Sequence, residues 1–482
     1  MRRINNILSK YWFVIVVVLA GIFLRTYKFP EYVTFLGDQG RDAIVLKRIL
    51  TLEHLPAIGA PTSVGQVYLG PFYYYFIAPW LALSGFNPIG PAFGVVFFSC
   101  LYLVLNYLIS KELFDKKTAF ISTFLISFSY VLIELSRFSW NPNLMPLFTL
   151  LSIYFFIKSV KTSKRYYYAL SGAFLSFTIQ LHYLGLFLLP PIAVLYIVNF
   201  IKQSKTRKQN ILNLVLVSFT FLFFTLPLLV FDLRHQFLNS KNFINLFKSS
   251  SVNPVNKITN LLETFQSLNQ FSFAFKFDLV STSIILLLIT IVFLTLIKKN
   301  RPISIFLFIF LGVIFGFSLY TGEKHPHYFG VLYPIYFVII GYFVSLLFEG
   351  RWEQYLGYLF ISAFIFLNFQ KFNFLRFSGD SQLQRSKKIA QIILDNIKKG
   401  KFTVTALPEK YSDSTYRYYL ELWKRRAIEK DSLVKADELF VVCEKKCEPV
   451  IGNPQWDIAY FAPNKKIGQW QIDSINIYKL IR

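Results

Sequence analysis

Apolar runs approaching 20 residues recur from Tyr11 to Asn368, and they fix the fold class before any motif is read. A helix needs about 20 apolar residues to cross the hydrocarbon core of a bilayer. Inside that core every backbone polar group must be bonded within the protein, which leaves helices as the economical solution for such runs. Of the 482 residues 54% are apolar, with 55 Phe and 29 Tyr among them. The chain reads as a polytopic α-helical membrane protein. The first run, 11–24, follows Arg2, Arg3 and Lys10, as a signal peptide would. No small-x-small cleavage site comes after it, so it reads as a retained span with a cytoplasmic N-terminus.

The charge supports the same class. Lys and Arg number 51 against 26 Asp and Glu, a net +25. In a soluble protein that excess would suggest nucleic-acid binding. Here the bases crowd short loops at 111–117, 158–165, 202–208 and 298–301, and more weakly at Arg351, as cytoplasmic loops do. A nucleic-acid partner is therefore not expected. Part of the excess can still meet anionic lipid or a phosphate-bearing substrate. The segments between these loops, at 137–142, 182–183, 232–278 and 323–328, then face outward, with everything after Asn368. Residues 72–110 resist a simple count, because the run 72–83 is short for a span and a Gly/Pro-rich stretch at 85–91 follows it. About 11 crossings satisfy both the charge bias and an outer C-terminus. Two later runs, 144–157 and 166–200, are short or broken by Pro, and 232–278 reads as a connector.

From Lys371 the texture changes. Residues 381–399 read as an amphipathic helix closed by Gly400, and Asp413 can cap a helix running to Lys424. Strands are expected at 402–407, 438–443 and 475–480. Residues 371–482 thus form a small extracytoplasmic α/β domain after a membrane domain spanning 1–370. Neither a Gly-rich nucleotide loop nor a His/Asp cluster marks its function. Cys443 and Cys447 are too isolated for a zinc site, and their spacing permits a local disulfide without requiring one.

The chemistry concentrates in the first outer loop, 29–70. Residues 38–52 form a helix at the membrane surface, with Ile44, Val45, Ile49 and Leu52 as its apolar stripe. Asp38, Arg41 and Asp42 share a face of it. Charges kept beside a bilayer point to a polar substrate. A carboxylate there can take a proton from an attacking hydroxyl, while a guanidinium grips a phosphate bidentately. The plainer alternative is that Asp38 is an N-cap and Arg41 a surface ion pair. Tyr73 and Tyr74, in the aromatic start of the next run, serve either as an interfacial belt or as a wall for a lipid or sugar. Glu323, Lys324, His327 and Tyr328 lie in a loop holding two of only five histidines. Phosphate or sugar contact by Lys324 and His327 is favoured there over metal ligation, with a solvated loop as the alternative. No cofactor is called for, although oxygen ligands from Asp38, Asp42 and Glu323 leave a divalent cation open.

An N-terminal span, Asp38-x-x-Arg41-x-Ala43 in the first outer loop, and a Pro71-Phe72-Tyr73-Tyr74 start to the next run resemble the GT-C glycosyltransferases. The nearest branches are the protein O-mannosyltransferases and the lipid A aminoarabinose transferases. Arg137-x-x-Trp140-Asn141-Pro142, the pair His327-Tyr328 and a small outer C-terminal domain are similar too, with His182 as a further outer-face candidate. The resemblance implies transfer of a sugar from a polyprenyl-phosphate carrier to a lipid, glycan or protein acceptor at the outer face of the cell membrane, usually with inversion. It makes Asp38 the general base and Arg41 the carrier-phosphate ligand. Gln39 stands where the family often has a second acid. Tyr68, Leu69 and Asn141 replace charged residues of the aminoarabinose branch, so neither branch names the sugar. The competing classes are a polysaccharide polymerase or ligase of the other membrane type, a lipid or saccharide flippase, and a nonenzymatic scaffold.

Overall fold

A computed structural model describes residues 2–62, 66–202, 207–249, 256–296, 301–398, 400–408, 412–429, 432, 434–445, 447 and 449–482. Residues 203–206 and 297–300, in two of the basic loops expected above, lie outside that set. Among the described residues five helices are long and apolar enough to cross a membrane: Ile89–Leu113, Asn141–Thr162, Tyr183–Lys202, Arg207–Arg234 and Leu279–Leu296. The pair Lys116–Phe128 and Tyr130–Ser136, bent by 61°, makes a sixth if its halves are one span. Tyr11–Thr26, Phe72–Leu83, Pro302–Phe317 and Tyr333–Leu347 are shorter apolar helices. A total of about 11 crossings needs these shorter helices to count as spans. Phe72–Leu83, with Pro79 inside it, is only about 18 Å long at 1.5 Å per residue, short of the roughly 30 Å hydrocarbon core.

The breaks in the helices have local causes. At the 61° bend, Tyr130 N–H loses its helical acceptor and donates instead to Asn368 Oδ1 at 2.8 Å. The run 166–200 divides at His182, which is extended between the Arg165–Leu181 helix and a 3-10 turn at Tyr183–Leu188. Pro190 and Pro191 do not kink that run; they open the Leu189–Lys202 helix, where a missing N–H costs nothing. The stretch 232–278 is more than a connector. It contains the helices Leu238–Ser249 and Lys257–Phe273, and the second buries Asn260, Phe265, Leu268 and Asn269. Arg25 is fully buried at the end of the first apolar helix. Its guanidinium donates to the carbonyls of Gly21, Ile126 and Ser127 and to Ser99 Oγ.

The C-terminal segment forms a four-stranded sheet in the order β1 (Phe402–Leu407), β2 (Glu438–Cys443), β4 (Ile475–Ile481), β3 (Lys465–Ile472). β1 and β2 are parallel and the other pairs antiparallel. β1 and β2 have the expected bounds, and β3 was not anticipated. The amphipathic helix runs over Gln382–Asn396, and Cys443 and Cys447 are disulfide-bonded.

One helix of this segment, Ser414–Leu422, lies against the first-loop helix Gly37–Leu50. Glu421 accepts from Arg48 Nη2 at 2.7 Å and Nε at 3.0 Å, and from Lys47 at 3.3 Å. Tyr418 Oη donates to Phe86 O at 2.6 Å. The first-loop helix is therefore clamped between the apolar helices and the C-terminal segment rather than resting free on a membrane surface. Its buried positions are Gln39, Gly40, Asp42, Ala43, Leu46 and Ile49, whereas Leu52 lies beyond its end, exposed and at φ 57°.

Candidate functional site

Asp38 is not a helix cap. The Gly37–Leu50 helix starts one residue earlier than expected, with Leu36 at the cap position. Its exposed first amides are served by Gln39, whose Oε1 accepts from Leu36 N–H at 3.0 Å while Nε2 donates to Ser139 O at 3.3 Å. A glutamate at 39 would lose that second bond, which gives the amide a reason to stand there.

Three charges in five residues are sorted by depth. Side-chain exposure is 45% for Asp38, 31% for Arg41 and 1% for Asp42. Arg41 Nε and Nη2 both donate to Asp42 Oδ1, at 3.0 and 2.9 Å, and Nη1 donates to Asp38 Oδ1 at 2.8 Å. Tyr74 Oη donates to the same Asp42 oxygen at 3.0 Å. Burial opposes the Arg41 cation, but Asp42, Tyr74 and Asp38 outweigh it, and its pKa lies above the usual value. Burial raises the Asp42 carboxyl, while Arg41 and the Tyr74 hydroxyl pull it back toward the anion. Asp42 is thus an anchor beneath the guanidinium and does not reach open space.

Above this pair lies a cavity of 320 Å³, lined by Asp38, Arg41, Trp140, Asn141, His182, Tyr183, His325, His327 and Tyr328, with Ala60, Pro61, Thr62, Leu69 and Pro142. Its parts come from distant stretches. The 59–70 loop folds back on itself through Gly59 N–Leu69 O and Leu69 N–Ala60 O bonds of 2.7 and 3.0 Å. The short 3-10 turns Asn141–Leu144, Tyr183–Leu188 and Pro326–Val331 meet at its floor. The rings of Trp140 and His327 are 4.2 Å apart, those of His327 and Tyr328 4.4 Å, and those of His182 and Tyr183 4.5 Å. His182 Nδ1 accepts from Leu184 N–H at 3.3 Å, so the ring proton of the neutral form sits on Nε2. Burial lowers the His182 pKa to about 3. Burial, with His182 and His325 nearby, lowers that of His327 to about 2.

Asn141 is 1% exposed, and among the described residues neither its Oδ1 nor its Nδ2 has a hydrogen-bond partner. The Tyr183 hydroxyl is likewise buried without one among them. Each such group costs about 1–3 kcal/mol when left unpaired, and both line the cavity.

Several candidates lie elsewhere. Arg137 donates to the carbonyls of Leu24 and Tyr27 at 2.9 and 2.8 Å and stacks on Phe374, so it ties helix ends together. Lys324 Nζ donates to Asn260 Oδ1 at 2.8 Å and is not among the cavity-lining residues. Tyr73 is buried with its hydroxyl on Ser139 Oγ; with Tyr74 it supports the first-loop helix from below and forms neither an interfacial belt nor a cavity wall. Glu323 is exposed, with His325 Nε2 at 4.0 Å. Asp38, Asp42 and Glu323 do not gather into a metal site. Among the described residues no group of three or more His, Cys, Asp or Glu side chains is placed to hold a metal ion. Trp140, Tyr183 and His325 were not singled out as site residues in the sequence. Their signal was present, since each adjoins or lies within a motif that was.

Residues 69–231 match the family model described as dolichyl-phosphate-mannose-protein mannosyltransferase. No curated protein matches the sequence. In structure the chain is similar to ArnT from Cupriavidus metallidurans bound to undecaprenyl phosphate, with 12% identity over 98% of each chain and a TM-score of 0.63. It is also similar to the oligosaccharyltransferase AglB from Archaeoglobus fulgidus in complex with an inhibitory peptide and a dolichol-phosphate. There the identity is 13%, over 87% of this chain and 64% of that one, with a TM-score of 0.53. Both are GT-C glycosyltransferases, and with 98% of this chain covered by the likeness to ArnT, the chain is built on the fold of these membrane enzymes.

Proposed function

We propose that the protein is a membrane glycosyltransferase that moves a sugar from a polyprenyl-phosphate carrier to an acceptor hydroxyl at the extracytoplasmic face, with inversion. The observation that carries the proposal is that Asp38 and Arg41 open into one cavity while Asp42 holds the guanidinium from behind. The acceptor hydroxyl gives its proton to an Asp38 oxygen, and its oxygen bonds the anomeric carbon. The bond from that carbon to the phosphate oxygen breaks, and the polyprenyl phosphate leaves with the electron pair. Arg41 neutralises the charge that develops on it. A phosphate is already a good leaving group, so one base suffices where a glycosidase needs two carboxyl groups.

The resting geometry gives the base a way to be released. Arg41 Nη1 is bonded to Asp38, whereas its other two bonds go to Asp42. A phosphate arriving at Nη1 competes with Asp38 alone and frees that carboxylate to face the acceptor. His327 is the second phosphate or sugar contact, and Lys324 braces its loop through Asn260. The carrier's tail lies among the apolar helices.

The test uses purified wild-type protein and Asp38→Asn with radiolabelled polyprenyl-phosphate sugars and a crude envelope acceptor. Loss of general-base catalysis lowers transfer by about 10²–10⁴-fold. Equal transfer by both proteins removes Asp38 as the base, and substrate flux across vesicles without carrier binding turns the assignment to a flippase.

A further inference from the structure

We infer that the cavity selects an uncharged, hydroxyl-bearing sugar, with Asn141 and Tyr183 as the residues that read its hydroxyl groups. This rests on the glycosyl-carrier function proposed above and names the class of sugar. The first observation is the unpaired chemistry of the wall. Asn141 is buried in the lining with both amide heteroatoms unbonded, and the buried Tyr183 hydroxyl is unbonded beside it. A carboxamide offers two donors and an acceptor, and a phenol offers one of each. That set pairs with adjacent sugar hydroxyls, which donate and accept in turn. Trp140 and His327, 4.2 Å apart in the same wall, present ring surface to the C–H face of a sugar.

The second observation is the charge of the lining. Among the described residues that line it, Asp38 is the only carboxylate and Arg41 the only guanidinium or ammonium, and the two are bonded to each other in the resting geometry. The neighbouring residues 63–65 are Ser, Val and Gly, which add no ionisable group. Asp42 is sealed beneath Arg41, and Glu323 points to solvent beyond His325. Once the carrier phosphate has displaced Asp38 from Arg41, the one carboxylate an amino sugar could reach is the base itself, where an ammonium would block proton uptake, and a uronic acid would compete with the carrier phosphate for Arg41. His182 and His327 add no cation, because burial keeps both neutral at physiological pH. A buried amide left without its partners discriminates strongly against a ligand that cannot supply them.

The experiment measures binding to the detergent-purified full chain by native mass spectrometry, so it needs no acceptor. The probes are undecaprenyl phosphate, its neutral glucosyl, mannosyl and galactosyl forms, and its cationic 4-amino-4-deoxy-arabinosyl form. At least one neutral form should bind roughly tenfold or more tightly than the bare carrier, as two or three new hydrogen bonds would give. The amino form should gain less over the bare carrier than that neutral form does. Asn141→Ala should erase the gain, Tyr183→Phe should reduce it, and Asn141→Asp should favour the amino form. A cooperative thermal unfolding transition in detergent, retained in all three variants, reports that they are folded. Two results overturn the inference alone: no neutral form binding better than the bare carrier, or an undiminished gain in Asn141→Ala. If neither the bare carrier nor any glycosylated form binds, the glycosyl-carrier function itself fails.

Discussion

Gly40 stands between Asp38 and Arg41 on the first-loop helix, and replacing it with alanine sets two physical effects against each other. Helix propensity favours alanine over glycine by about 1 kcal/mol in a helix interior. Tertiary contact opposes it. A Cβ at position 40 would lie 2.4 Å from Thr415 N and 2.6 Å from Ser414 C, both backbone atoms. The Ser414–Leu422 helix would have to withdraw by about 1 Å, and overpacking of this kind typically costs about 1–3 kcal/mol. The withdrawal also lengthens the bonds from Lys47 and Arg48 to Glu421, so contact should prevail and Gly40→Ala should destabilise by about 1–2 kcal/mol. A shift of that size beneath the reacting groups can lower transfer by about 10²-fold. The assay is apparent Tm and transfer rate of the purified protein in detergent. Gly37→Ala supplies the control, because its Cβ would meet the Ser412 side chain at 2.3 Å. Trimming that side chain in Gly37→Ala/Ser412→Gly should restore both readouts, whereas no side-chain truncation can rescue Gly40→Ala. A Gly40→Ala protein with raised Tm and full activity would refute the close docking of the two helices.

Two further outcomes follow from the same geometry. Glu421→Gln keeps the shape but removes the charge that Lys47 and Arg48 share, at a side-chain exposure of 8%; breaking such a pair costs about 3 kcal/mol. Hydrogen exchange should rise in both the 37–50 and 414–422 helices, and unchanged protection would mean that the pair contributes little to docking. His182 and His327 titrate near 3 and 2 in the folded protein, against an unfolded value near 6.5. Their stabilising contribution is complete above pH 6.5 and is lost as pH falls toward the folded values, amounting to about 3 kcal/mol per residue at pH 4.5. Thermal unfolding between pH 7 and 4.5 should show that slope, and His182→Phe should flatten it. A Tm indifferent to pH over this range would show that the two rings titrate alike in the folded and unfolded states.

The sequence carried the apolar helices well, because a span is a local property of about 20 consecutive residues. It also carried β1 and β2, whose apolar and β-branched residues are buried on both faces. β3 escaped notice because Lys465, Lys466, Gln469 and Gln471 make an exposed edge strand without an apolar signature. At the site, the i,i+3 spacing puts Asp38 and Arg41 on one face, and only the resemblance gives them their expected roles. Arg137 and Lys324 were equally plausible as cations, and only tertiary structure shows the carbonyls and the amide that occupy them. Tyr73 and Tyr74 were read as surface aromatics because nothing local reveals that Ser139 and Asp42 fold over them. The docking of Glu421 on Lys47 and Arg48 joins residues more than 370 positions apart, and no periodicity encodes it.

The depth at which each charge sits is itself an argument about chemistry. A guanidinium that must grip a phosphate repeatedly needs a counter-charge that does not leave with the product, and the buried Asp42, braced by Tyr74, meets that need. A base must exchange protons with acceptor and solvent, which the sealed Asp42 cannot do and the half-exposed Asp38 can. Were the two carboxylates placed alike, the phosphate would compete with both and the guanidinium would lose its orientation at each turnover. The asymmetry depends on the first-loop helix being covered on one side by Tyr73 and Tyr74 and on the other by Ser414–Leu422. At Gly40 that cover approaches to backbone contact, between Asp38, the proposed base, and Arg41, the proposed phosphate ligand. In the proposed mechanism the C-terminal segment would then act on the site without lining it: by fixing the tilt of one helix, it holds Asp42 buried and Asp38 exposed.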